Sequence, residues 1–381
     1  MEPQDWTNID VFRLPMDAPD DVSELKNKLE SGQIVAENII GIIAQTEGTG
    51  YARGYASLCL QLLLADYLQI SPQAVFDRIP MMMIGLCGGL MSPHYTVFTR
   101  QMVAAPTQPP TQPPTQPPTD KRLSVGVANT RVLQPEEYGT LTQVKLVAEA
   151  VTAAIADAGI TQLEDVHCVE VKCPAMTPAR LADAAQRGAA VVSQNLGQAS
   201  SLSKGASALG IALALQEIPE EKLTDNGVIN RDRHLYTQRG SVSAGGEQSA
   251  CRVLIMGNSE RSVSAYKVGH GVMVDQLDTA GIYHALNSAG MVVNSPLTTE
   301  QQQYITQIFV NCGADAVTAV RDRRHTLHSD FLSGYAGIIA KAVANAVVAS
   351  VTGDPMILAS AGNEHQGSPG SNLIAAIVSA K

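Results

Sequence analysis

The sequence predicts a mixed α and β (α+β) fold made of three similar repeats, and three observations predict it. First, 381 residues exceed what one ordinary core uses. Second, the segment Arg53-Gly-Tyr-Ala-Ser-Leu-Cys-Leu is echoed by Lys204-Gly-Ala-Ser-Ala-Leu-Gly-Ile and by Ser333-Gly-Tyr-Ala-Gly-Ile-Ile-Ala, each opening a long apolar helix. Third, each helix is followed by a short apolar run that ends in a small-residue turn: Ile84-Gly-Leu-Cys-Gly-Gly, Ser243-Ala-Gly-Gly-Glu and Ser360-Ala-Gly-Asn-Glu.

Within each unit an amphipathic helix comes first, over Asp21 to Leu29, Val144 to Ala158 and Ala280 to Ser288. A strand, the apolar helix and the turn follow. Small-residue turns after apolar strands are common wherever a strand ends against a helix, so the turns alone leave the repeat open. Three such turns about a pseudo-threefold axis converge on one central cavity, which suits a ring with repeating polar edges.

Residues 106–119 read PTQPPTQPPTQPPT, a composition that favours extended polyproline II and is expected to act as a linker. The expected organisation is repeat A over 1–105, this linker, repeat B over 120–262 and repeat C over 263–381. Hydrophobic residues make up 45% of the chain and charged residues 16%, a globular profile. A formal net charge of −10 argues against nucleic acid and anionic membrane surfaces as partners. The apolar stretch Ala336 to Val351 is interrupted by Lys341 and Asn345 and reads as a buried helix, so no membrane span is expected. Six scattered cysteines without a C-x-x-C, and an acidic polar start, point to the cytoplasm.

His167-Cys-Val-Glu-Val-Lys172 alternates as a strand does, Cys173-Pro174 stops it, and Thr177-Pro178 supplies the cap and first position of the next helix. Lys172 is thus expected at a strand end. A lysine there is more often a solvated charge, yet a desolvated one loses its proton readily and can act as base to a serine. Ser243 follows Gly240-Ser-Val and precedes Ala244-Gly-Gly, which sets a hydroxyl on a turn beside amides able to bind a developing oxyanion. A serine in such a turn more often bonds its own backbone, and spacing alone leaves both readings open.

Thr46-Glu-Gly-Thr-Gly50, Ser92-Pro-His-Tyr-Thr-Val-Phe98, Val171-Lys-Cys-Pro174, Gly205-Ala-Ser-Ala-Leu-Gly-Ile-Ala-Leu213, His270-Gly-Val-Met273, Arg324-His-Thr326 and Glu364-His-Gln-Gly367 resemble signatures of the cyanuric acid hydrolase and barbiturase family of ring-opening amidohydrolases. The resemblance implies three repeats forming a central β-barrel flanked by helices, each offering one lysine, one arginine and one serine to a cavity on the axis. It implies Lys172 as catalytic base, Ser243 as nucleophile and the Ala244 amide in the oxyanion position. Arg53, Lys204 and Ser360, with the amides of Gly85 and Ala361, are the expected substrate-binding groups. It also implies a small heterocyclic substrate, no required cofactor and a homotetramer.

The sequence departs from the symmetric pattern in places. Gln45 and Asn311 stand where the first and third lysines are expected, and Ile84 stands where the first serine is expected. Lys204 replaces an arginine, and the third arginine position falls on Ile338 or Ser333. These losses favour a less symmetric ring, of barbiturate, imide, ureide or lactam type, over cyanuric acid. The resemblance also implies a structural divalent cation held by backbone carbonyls near the Glu364 turn and by a glutamate after the third lysine position. Gly313 replaces its glutamate here, so no metal ligand is assigned. His94, His325 and His365 have no zinc spacing and are expected to hydrogen-bond turns. The alternative is a non-hydrolytic binding or scaffold homologue, or a biosynthetic enzyme with altered chemistry on the same fold.

Overall fold

The structure is a computed structural model that describes residues 6–48, 50–104, 120–293 and 295–379, without the side chains of Asp330 and Ser333. The linker expected at 106–119 lies outside the described residues. The first stretch holds strands β1 (Trp6–Pro15), β2 (Ile39–Gln45), β3 (Met81–Ile84) and β4 (His94–Val103), with helices α1 (Ser23–Glu30), α2 (Gly50–Leu68) and α3 (Pro72–Arg78). The second holds β5 (Arg122–Asn129), β6 (Val166–Pro174), β7 (Gly240–Gly245) and β8 (Arg252–Ser259), with α4 (Leu141–Asp157), α5 (Pro178–Gln186) and α6 (Leu196–Ala214). The third holds β9 (Tyr266–Met273), β10 (Ile305–Cys312), a two-stranded hairpin of β11 (Ala319–Val320) and β12 (Arg323–Arg324), then β13 (Leu358–Ala361) and β14 (Asn372–Ser379). Its helices are α7 (Thr279–Ser288), α8 (Thr299–Gln302) and α9 (Ala336–Thr352).

Each stretch folds into a four-stranded sheet, and the strand orders are β1-β4-β2-β3, β5-β8-β6-β7 and β9-β14-β10-β13. In each, one neighbouring pair is parallel, β2 with β3, β6 with β7 and β10 with β13, because a long helix crosses between the two strands: α2, α6 or α9. Period-two alternation decides the faces. Ile42 and Ala44 of β2 turn toward α1 and α2, whereas Ile43 between them joins a central cluster with Met82, Phe98, Val125, Cys168, Leu254, Val268, Phe309 and Leu358. The helices cover the outer faces, and the inner faces of all three sheets meet in that cluster.

The sequence expectation of a closed central barrel needs correction. Among the described residues no strand of one sheet pairs along its length with a strand of another; isolated backbone bridges join Thr7 to Ser262 and Thr237 to Gln366, and apolar side chains from the inner faces fill the middle. Side chains also join them in polar contacts. Lys172 Nζ donates to the Met83 carbonyl at 2.7 Å, Gln45 Oε1 accepts from the Ala359 amide at 2.9 Å, and Gln366 Oε1 accepts from the Val242 amide at 2.6 Å.

Local chemistry explains several element ends. Thr177 caps α5 by accepting from the Arg180 amide, with Pro178 in the first turn, as the sequence predicts. Asn195 caps α6 and Asp278 caps α7 in the same way. Helix α9 stops at Gly353, whose φ of 79° is a left-handed conformation that glycine adopts without strain. Gly210 lets α6 lie against α4, since a Cβ there would meet the Val144 carbonyl at 2.7 Å. Among the described residues no helix is long and apolar enough to cross a membrane, and all six cysteines are free.

Candidate active site

The ends of β3, β7 and β13 and the N-terminal halves of α2, α6 and α9 surround a cleft of about 500 Å³. It brings together the expected catalytic and substrate-binding residues: Arg53, Gly85, Lys172, Lys204, Ser243, Ala244, Ser360 and Ala361 all line it. Ile84 lines it too. Two local expectations change. Lys172 and Ser243 lie inside β6 and β7 rather than at a strand rim or on a turn, because β6 continues through Pro174 and β7 through Gly245.

Parallel pairing places Lys172 opposite Ser243, and the same register sets Gln45 opposite Ile84 and Asn311 opposite Ser360. Three equivalent positions thus carry three different pairs, and only the middle one joins an amine to a hydroxyl. Lys172 Nζ lies 3.1 Å from Ser243 Oγ. Lys172 is fully buried while Ser243 is partly open to the cleft. Burial pulls the Lys172 ammonium down to about 8, the Glu247 carboxylate opposes that, and Arg53 adds to it.

Lys204 is differently placed. Burial works against its charge, but the Glu364 carboxylate at 2.7 Å holds its pKa above the ordinary lysine value. Glu364 also accepts from the Ser201 hydroxyl at 2.8 Å. Gln45 and Asn311, at the other two lysine positions, make backbone contacts instead, Gln45 to Ile84 and Ala359 and Asn311 to the Gly362 carbonyl at 2.8 Å. At the two alternatives for the third arginine, Ile338 lines the cleft and Ser333 has no described side chain.

Sequence reasoning missed two groups. Glu247 sits 3.8 Å from Lys172 Nζ, and its Oε1 is buried without a hydrogen bond. It closes the quoted Ser-Ala-Gly-Gly-Glu turn, so the signal was present. Lys341 reaches the cleft from α9 and is buried, donating to the Gly85 and Leu86 carbonyls at 2.7 and 3.3 Å. The sequence marked it only as an interruption in an apolar run.

The residues present do not fit the divalent cation that the resemblance implies. A Cβ at Gly313 would stand 2.4 Å from the Ser371 carbonyl, which leaves no room for the missing glutamate side chain without a backbone shift. Glu364 Oε1 is engaged by Lys204, its Oε2 is buried without a hydrogen bond, and no group of three His, Cys, Asp or Glu side chains able to hold a metal forms among the described residues. The three histidines bond backbone nearby: His94 to Ser92, His325 to Leu327, and His365 to Leu235 and Asn230.

Comparison with known proteins shows the family. The chain matches the amidohydrolase ring-opening protein family over residues 10–379. It is 42% identical over 376 residues to a cyclic amide hydrolase of Azorhizobium caulinodans, covering 98% of this chain and 100% of that one. It is 38% identical over 377 residues to a cyanuric acid amidohydrolase of Pseudomonas sp. strain ADP, covering 98% and 99%. A solved cyanuric acid hydrolase structure superposes with a TM-score of 0.90 at 37% identity, over 98% of this chain and 100% of that chain. The chain belongs to the ring-opening amidohydrolases, a family of hydrolytic enzymes.

Proposed function

We propose that the protein hydrolyses a small cyclic amide, imide or ureide, with Ser243 as nucleophile and Lys172 as its base. The observation that carries this reading is the 3.1 Å contact between a partly open hydroxyl and a buried amine drawn toward its neutral form. Ser243 Oγ attacks a ring carbonyl carbon while its proton passes to Lys172 Nζ. The Ala244 amide faces the developing oxyanion. Cleavage of the ring C–N bond follows, and Lys172 returns the proton to the departing nitrogen. The resulting acyl ester is released by water, again with Lys172 as base.

Arg53, Lys204, Ser360 and the backbone at Gly85 and Ala361 orient the ring. Ile84 offers no hydrogen bond, and a polar ring edge left against it loses about 1–3 kcal/mol. That favours a barbiturate-type ring with a carbon-bearing edge over cyanuric acid. The equivalent strand orders support three copies of one unit, A, B and C, about an approximate threefold axis. The tetramer of the resemblance is part of this reading, and light scattering reads it out. Purified protein assayed for ring opening against cyanuric acid, barbituric acid, cyclic imides and lactams is the test. Binding without turnover of any ring would favour a non-hydrolytic homologue.

A further inference from the structure

Two cations beside Gly85 face the cleft without a carboxylate partner. Arg53 stands near the start of α2, its stem packed so closely on Gly85 that a Cβ there would lie 3.0 Å from Arg53 Cδ. Its Nε is buried with no hydrogen-bond partner. Lys341 arrives from α9 and donates to the carbonyls of Gly85 and Leu86, which occupies two of its three donors. No ion pair involves either residue among the described residues. The other two cations of the cleft differ, since Lys204 has Glu364 at 2.7 Å and Lys172 has Glu247 at 3.8 Å.

Lys341 also stands in for something the sequence lacks. Arg53 opens Arg-Gly-Tyr-Ala in the first unit, and Ser333 opens Ser-Gly-Tyr-Ala in the third. Eight residues on, from 333 to 341, a cation returns to the same cavity from the third unit's own long helix. It reaches the turn of the first unit and not its own.

We propose that Arg53 and Lys341 together form an anion subsite that holds a negatively charged oxygen of the substrate, so that the ring enters as its monoanion. The chemical class is an ionised imide or 1,3-dicarbonyl heterocycle, with its charged oxygen toward Gly85 and its carbon-bearing edge against Ile84. Cations poorly solvated and without a counter-ion are unfavourable in the empty cleft, and a bound oxyanion relieves both at once through charge-assisted hydrogen bonds. This inference rests on reading the cleft as the ring-opening site.

The test uses the full chain carrying Ser243→Ala, so that the ring is not consumed, and reads dissociation constants by calorimetry. The probes are barbiturate, ionised at neutral pH, and 5,6-dihydrouracil, a neutral ring of similar size. Barbiturate is expected to bind more tightly by roughly tenfold or more. Adding Lys341→Gln, which keeps a donor for the Gly85 carbonyl but removes the charge, should weaken barbiturate by about tenfold and dihydrouracil by less than about twofold. Lys341→Met should do the same, and a melting curve identifies a variant that fails to fold. Equal weakening of both rings, unchanged barbiturate affinity, or a preference for the neutral ring overturns the subsite. Continued ring opening by Ser243→Ala would instead sink the Ser-Lys reading while leaving the subsite standing. Failure to bind either ring would remove both.

Discussion

Glu247 holds a carboxylate 3.8 Å from the Lys172 amine, on the turn that follows Ser243. When Lys172 accepts the serine proton, positive charge forms beside a carboxylate oxygen with no hydrogen bond of its own. Glu247→Gln removes that stabilisation of the ammonium, so the Lys172 pKa falls further below the ordinary lysine value. The acid limb of the kcat/KM profile should move to lower pH and the plateau should drop about tenfold or more. A profile that keeps its midpoint would mean that Glu247 only packs the turn.

The wild-type pH profile should be bell-shaped with its maximum near pH 8. With Lys172 as the proposed base, activity rises as it deprotonates through about 8. The proposed anion subsite needs Lys341 protonated, and burial brings its pKa also to about 8, so activity is expected to fall as it deprotonates. Lys341→Gln should remove the alkaline fall and leave the acid rise, which a rate series with an ionised ring measures directly.

Ser243→Ala and Lys172→Ala should each reduce kcat by on the order of 10⁴-fold or more, with the double variant little worse, because nucleophile and base act as a unit. The two differ in stability. Ser243→Ala should melt like the wild type, whereas Lys172→Ala also deletes the bond to the Met83 carbonyl and should melt lower. Near-normal turnover in either variant would contradict the assignment.

Ile84→Ser combined with Lys204→Arg should shift the kcat/KM ratio of cyanuric to barbituric acid upward by roughly tenfold or more, because it returns donors to two ring edges. An arginine at 204 must still satisfy Glu364, now 2.7 Å from the lysine. A wild type that already prefers cyanuric acid would show that Ile84 does not set ring choice.

Much of this was legible before any coordinates. Arg53 stood at the head of a repeated segment, Lys172 and Ser243 took their expected roles from the family resemblance where their neighbours left two readings open, and the helices over Leu141–Asp157 and Thr279–Ser288 showed in their apolar period. The register that sets Lys172 against Ser243 is a tertiary fact: 71 positions separate them, and no local pattern encodes that pairing. Lys341 escaped because a lysine in an apolar helix is ordinarily read as an interruption. Its meaning depends on the Gly85 carbonyl, 256 positions away. The barrel was over-drawn because alternation predicts which face a strand buries but not whether neighbouring sheets share hydrogen bonds.

Three of the side-chain contacts between units, those of Lys172, Gln45 and Gln366, run in one rotational sense. Lys172 reaches from the second sheet to the first, Gln45 from the first unit to the third, and Gln366 from the third to the second. Gln45 occupies in its own unit the register position that Lys172 holds in the middle one, yet its amide serves as a fastening. A lysine placed there would not be a latent second catalyst. Gln45→Lys strips the Ala359 amide of its acceptor and confines an extra charge in a buried joint, a loss of about 2–3 kcal/mol or more that a lower melting temperature would reveal. Positions of the same strand register thus serve differently, one setting an amine beside a hydroxyl and the other tying two units together, and a lysine at the second would loosen the frame that keeps the Lys172 amine and the Ser243 hydroxyl in register.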